Sequence, residues 1–123
     1  MGAVLRAVRG ATTLDEDSAA QVQDRVGALV GAILERNGLE PGDLVSAIFT
    51  ATEDVTSAFP ATSARTIPGF ADVPLLGCRE MAVTDAVPLC IRVLVHCYTD
   101  RARDAIQHVY LEGAASLRPD LVS

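Results

Sequence analysis

The run Pro88-Leu89-Cys90-Ile91-Arg92-Val93-Leu94-Val95-His96-Cys97-Tyr98 constrains the fold most, because it sets a permanent cation in the middle of the most strand-like segment. Side chains alternate along a strand, so Ile91, Val93, Val95 and Cys97 share one face while Cys90, Arg92, Leu94 and His96 share the other. Both faces are largely apolar, the pattern of a central strand covered on each side. A guanidinium stays charged in a protein and is costly to bury alone. Arg92 therefore requires an anionic partner, which is either a carboxylate of the chain or part of a ligand.

Around this strand the rest of the chain reads as one layered domain spanning residues 1–123. Residues 3–12 form a first strand, with Arg9 at its end beside Gly10, where the backbone can approach another element closely. Asp15, Glu16 and Asp17 crowd acidic charge where a helix would begin. From Ser18 onward, Val22, Val26, Leu29, Val30, Ile33 and Leu34 follow the spacing of one helical face, and Asn37-Gly38 supplies the stop. A turn at 41–43 leads to a second strand over 44–52. Residues 53–67 read as short helical turns beside a site, with Pro60 opening a helix that runs through Arg65. A third strand over 73–81 contains Gly77, and a strand glycine often marks close approach by a ligand or another backbone. After the central strand come a polar turn at 99–104, a last strand over 107–112, and a tail at 114–121 in which Pro119 prevents regular structure. The fold class is α/β or α+β, with one long helix covering the sheet.

Bulk properties narrow the setting. A hydrophobic content of 50% and mean hydropathy of +0.30 are high for a soluble monomer. No apolar run approaches the roughly 20 residues of a membrane span, so the excess points to a buried oligomer interface. Arg6 interrupts the N-terminus before a signal-peptide core can build up, and a cytoplasmic protein is expected. A net charge of -6 and a pI near 4.7 argue against nucleic acid or an anionic membrane as partner. All ten basic residues are nevertheless arginines, the side chain that grips carboxylates with a planar fork. Biased composition explains that total equally well, so the weight falls on individual positions.

The familiar catalytic patterns are missing: there is no GxSxG elbow, phosphate-cradling glycine loop, HExxH or CxxC. Cys90 and Cys97 lie on opposite faces of one strand, too far apart to bond, and no cysteine pair has zinc-ligand spacing. Nothing near Cys78 or Cys90 would activate a thiol, so both read as packing residues. His96 reads as a hydrogen-bonded core residue and His108 as an edge one, with no metal site between them. Glu80, Arg92 and Tyr110 sit inside apolar strands and Arg9 at a strand end. Taken singly, Glu80 and Arg92 read as partners that staple the core. An enzyme with this sequence would use fixed cations, one carboxylate and hydrogen bonds rather than a nucleophile or a metal.

Six blocks carry a more specific signal: Arg9-Gly10-Ala11-Thr12-Thr13; Ser57-Ala58-Phe59-Pro60-Ala61 with Arg65; Val73-Pro74-Leu75 through Arg79-Glu80-Met81; Cys90-Ile91-Arg92-Val93; His108-Val109-Tyr110-Leu111; and Leu117-Arg118-Pro119-Asp120-Leu121. In order and spacing they resemble the monofunctional AroH-class chorismate mutases over nearly the whole chain. The resemblance implies a mixed five-stranded sheet packed against one long helix. It also implies a homotrimer with a pseudo-α/β-barrel core and active sites at the subunit interfaces. The implied reaction is the [3,3] rearrangement of chorismate to prephenate, on the way to phenylalanine and tyrosine, without cofactor or metal.

By position, the resemblance places Arg92 against the ether oxygen and a substrate carboxylate. Glu80 would accept a hydrogen bond from the ring hydroxyl and hold Arg92, while Arg9 and Tyr110 would bind a carboxylate. Phe59, Ala61, Thr62 and the backbone of Leu75, Leu76 and Gly77 would form a wall from the neighbouring subunit. Cys78 and Arg79 would line the pocket, with Arg65, Leu117 and Arg118 near its entrance. Two positions depart from some relatives: Gly77 stands where they have cysteine, and Thr62 where they have lysine. Loss of that lysine should weaken entrance electrostatics more than the chemical step. Two other readings stay open, a non-catalytic trimer that binds a small carboxylate and a RidA-type deaminase.

Overall fold

The computed structural model describes residues 2–117 and realises the expected order of elements. The strands are β1 (Val4–Thr13), β2 (Leu44–Ala51), β3 (Leu75–Arg79), β4 (Cys90–Thr99) and β5 (Val109–Tyr110). The helices are α1 (Ala19–Asn37) and α2 (Pro60–Arg65), with 3-10 turns at Pro41–Asp43, Arg103–Ala105 and Glu112–Ser116. The strands form one sheet in the order β3-β2-β4-β1-β5. β4 lies at its centre, antiparallel to β1 and β2, whereas β3 runs parallel to β2 and β5 parallel to β1. The sheet is therefore mixed and five-stranded.

α1 forms where the spacing predicts. Ser18 caps it, its hydroxyl accepting the Gln21 N–H at 3.2 Å, and the Gln21 side chain reaches back to the Glu16 N–H at 2.9 Å. Gly38 ends it at φ +60, a left-handed conformation that costs glycine least. The acidic cluster has a different use from the one its position suggests, since none of it lies in the first helical turn. Asp15 pairs with Arg25 at 2.8 Å, while Asp17 holds the Thr56 and Ser57 backbone N–H groups at 3.0 and 3.1 Å.

The apolar stripe of α1 (Val22, Val26, Leu29, Val30, Ile33) packs on Val8, Ile91, Val93, Val95 and Cys97, all buried. Gly10 permits this approach. A Cβ there would meet Ile33 Cδ1 at 2.8 Å and Leu29 Cδ1 at 3.1 Å. The element that Gly10 lets close is thus the chain's own helix.

One expectation is corrected. β4 is central but covered on one face only: both helices lie on the side of Ile91, Val93 and Val95, and the side of Arg92, Leu94 and His96 stays open within the chain. Tyr98 and its ladder partner Leu5 are 53% and 51% exposed there. Alternation records that a strand has two apolar faces; it does not record whether the covering layer belongs to the same chain.

Three boundaries also move. β3 stops at Arg79, although the Glu80 N–H still bonds the Ala51 carbonyl at 2.9 Å. β5 has only two residues rather than spanning 107–112, because Glu112 turns the chain at φ +53 into a 3-10 turn. That turn occupies the start of the stretch read as irregular tail.

Candidate functional site

The pairing registers align one residue from every strand in a transverse row: Cys78 on β3 faces Thr50 on β2, Thr50 faces Arg92 on β4, Arg92 faces Ala11 on β1, and Ala11 faces Tyr110 on β5. Paired residues share a face, so this row crosses the open side of the sheet. Arg9 is diagonal to Arg92, since it pairs with Leu94 while Ala11 pairs with Arg92. The structure thereby brings together Arg9, Arg92 and Tyr110, residues spread over a hundred positions of sequence.

Glu80 completes the group. Its Oε2 lies 3.3 Å from Arg92 Nε and accepts the Thr50 hydroxyl at 2.8 Å, while Oε1 accepts the Met81 N–H at 3.2 Å. Among the described residues Glu80 is the one carboxylate within 4.0 Å of Arg92, and it is approached through Nε. The pair is not sealed in the core: the side chains are 45% and 22% exposed for Arg92 and Glu80. Arg92 can thus keep its protein partner and still meet a ligand.

Arg9 is exposed and forms no ion pair among the described residues; its own N–H donates to His108 Nδ1 at 3.0 Å. Arg9, Leu94, His96, Arg103 and His108 line a cavity of about 410 Å³ on the open face. Tyr110 is buried with Ala11 and Ala114, and Leu117 packs beside them. Its strand is anchored by Asn37, whose buried carboxamide donates to the Gln107 carbonyl at 2.9 Å and accepts the Gln107 N–H at 2.7 Å. His96 is half-buried with Ser46 Oγ 3.4 Å from its Nδ1, a hydrogen-bonded role as expected.

A second set of expected residues lies elsewhere. Phe59, Ala61, Thr62 and Arg65, at and along α2, face β3 across a groove of about 910 Å³. Leu75, Leu76, Gly77, Cys78 and Arg79 form its other wall. Phe59 is 77% exposed, and Arg65 has no ion-pair partner among the described residues. Arg79 instead pairs with Glu53. Gly77 pairs with Phe49 and Cys78 with Thr50, so the two occupy opposite sides of the edge strand, and a Cβ on Gly77 would meet nothing within 4 Å. Within one chain α2 lies on the helix-covered side of the sheet and Arg92 on the open side, while Thr50 and Cys78 of the Arg92 row line the groove where it meets the edge strand.

All three cysteines are free, and burial pushes the Cys90 and Cys97 thiols up. Neither is primed as a nucleophile. No group of three or more His, Cys, Asp or Glu side chains converges on a metal-binding geometry among the described residues. No helix among them is long and apolar enough to cross a membrane. Arg118 lies outside the described residues.

Sequence reasoning missed Thr50, Asn37 as an anchor and the support that His108 gives Arg9. Each depends on which strand neighbours which, a relation that no local spacing encodes.

The family described as chorismate mutase type I matches residues 5–121. Chorismate mutase AroH of Thermus thermophilus is 46% identical over 121 residues, covering 98% of this chain and 98% of the relative. Chorismate mutase AroH of Bacillus subtilis (strain 168) is 39% identical over 118 residues, covering 96% and 93%. Among solved structures, chorismate mutase from Clostridium thermocellum superposes with a TM-score of 0.86 at 39% identity, over 89% of this chain and 97% of that one.

Proposed function

Because the chain belongs to the type I chorismate mutase family and is an isomerase that converts chorismate to prephenate, we propose that it does so as a homotrimer in the cytoplasm, with each active site assembled from two subunits. The family membership places the reaction in aromatic amino acid biosynthesis and favours neither the carboxylate-binding module nor the RidA-type deaminase.

One subunit would contribute Arg92, Glu80, Arg9 and Tyr110 from its open sheet face. Its neighbour would contribute the wall of Phe59, Ala61, Thr62 and the Leu75 to Arg79 strand, with Arg65, Leu117 and Arg118 at the entrance. In this reading each chain acts as a single domain.

The reaction needs little else. In one concerted step a carbon–oxygen bond breaks as a carbon–carbon bond forms within the same molecule, with no net transfer of a proton or electron. The protein has to hold a flexible dianion in a compact chair and stabilise charge appearing on the ether oxygen. Arg9 and Tyr110 would bind a carboxylate, with Arg65 at the entrance, and Glu80 would accept from the ring hydroxyl. Arg92, held through Nε by Glu80, would present its remaining nitrogens to the oxygen as negative charge grows there.

The observation that supports a shared site is the position of α2 on the helix-covered side of the sheet and of Arg92 on the open side, together with the exposed apolar face around Leu5 and Tyr98. Mixing two variants, each impaired in a different half of the site, tests it. Arg92→Leu and Arg65→Ala subunits, refolded together, should regain about one quarter of wild-type activity, since in a random closed ring about that share of interfaces joins two intact halves. Chorismate loss is followed in the ultraviolet. Mixed oligomers no more active than their parents would place the whole site within one chain.

A further inference from the structure

We propose that Thr50 is a positioning residue for the rearrangement: its hydroxyl fixes the Glu80 carboxylate, and through it the orientation of Arg92. This rests on the assignment of Arg92 and Glu80 to the reaction. Thr50 stands directly opposite Arg92 in the β2–β4 ladder and directly opposite Cys78 on β3, between the two in the row that crosses the open face. Its Oγ1 donates to Glu80 Oε2 at 2.8 Å, and the same oxygen lies 3.3 Å from Arg92 Nε. One carboxylate oxygen is thus the meeting point of a hydroxyl fixed by the sheet and the guanidinium.

Glu80 needs such a tether. It follows the last residue of β3, and the exposed segment 81–86 comes straight after it, so only the bond from its N–H to the Ala51 carbonyl continues the ladder. A glutamate side chain has several rotatable bonds and loses considerable freedom when held in one geometry. Threonine is β-branched and restricted at χ1, so on a strand its hydroxyl is aimed by the backbone. With Oε2 shared by Thr50 and Arg92 and one Oε1 site taken by the Met81 N–H, the remaining acceptor capacity of Oε1 is left for a substrate hydroxyl.

If Thr50 only filled a strand position, valine would serve as well, having nearly the same shape and a high strand preference. Thr50→Val should instead lower kcat about 10- to 100-fold, the range expected for losing a hydrogen bond to a charged group, while KM stays within about threefold. Thr50→Ser, which keeps the hydroxyl, should return kcat to within about threefold of wild type. Thr50→Ala carries the same expectation as valine and replaces it if that variant fails to assemble. Full kcat in the hydroxyl-free variant, a change in KM alone, or no rescue by serine overturns the positioning role. Arg92→Leu is assayed beside them: if it is inactive while Thr50→Val is normal, only the role of Thr50 falls, and if it is fully active the assignment of the site falls as well.

Discussion

Arg92 stands on the uncovered face of the sheet, while Phe59 heads α2 on the covered side. A small molecule touching both within one chain would have to reach round the edge strand β3. In the proposed shared site the open face would carry one half, and α2 of a neighbouring chain would supply the other.

Replacement of Arg92 separates charge from shape. Arg92→Leu should lose at least about 10²-fold in kcat with secondary structure retained, because in the proposed role the cation acts mainly where charge develops in the transition state. Arg92→Lys should recover little, since an ammonium cannot hold Glu80 through one nitrogen and offer a planar fork with the others. Steady-state kinetics with circular dichroism on both variants check this. A lysine variant near wild-type rate would show that any cation suffices.

Asp17 gives stability a defined acid dependence. Hydrogen bonds from the side chains of Ser57 and Thr56, reinforced by the Thr56 N–H, hold its carboxyl below its ordinary 3.8 at about 2. A carboxyl with a depressed folded-state value stabilises the protein fully above its unfolded value, and that stabilisation is lost as pH falls through the folded one. Asp17→Asn should therefore be less stable than wild type at neutral pH, with the gap narrowing between 3.8 and about 2. Urea titrations at several pH values measure it; a gap independent of pH would remove the carboxylate from the account.

Asn37 ties the end of α1 to the strand that bears Tyr110. Asn37→Ala should cost about 1–3 kcal/mol, because backbone groups of Gln107 lose their partners where the carboxamide was buried. If Tyr110 binds substrate as proposed, affinity should weaken as it loses its anchor. Denaturation and KM are the two measurements, and a stable variant with unchanged KM would contradict the anchoring role.

Gly10 sets the distance between helix and sheet. Gly10→Val should destabilise by about 1–3 kcal/mol through overpacking, since even a first carbon would stand 2.8 Å from Ile33 Cδ1. Thermal unfolding checks it. The smaller Ile33→Val side chain should relieve part of the loss if the clash is the cause.

Much of this molecule is legible in the chain itself. The period of α1, its Ser18 and Gly38 ends, the alternation of β4 and the short helix opened by Pro60 are local patterns, and local sterics and hydrogen bonding enforce them. The six matched blocks likewise carried the likeness to the chorismate mutases, because residue types at fixed intervals survive in the string. What the tertiary structure alone decided is adjacency. It set Thr50 opposite Arg92, bound Asn37 to Gln107, and left one face of β4 bare while covering the other. These outcomes follow from strand order and register, which depend on how distant segments share one core, and a hydrophobic pattern repeated on both faces of a strand does not say which side the chain's own helices will cover.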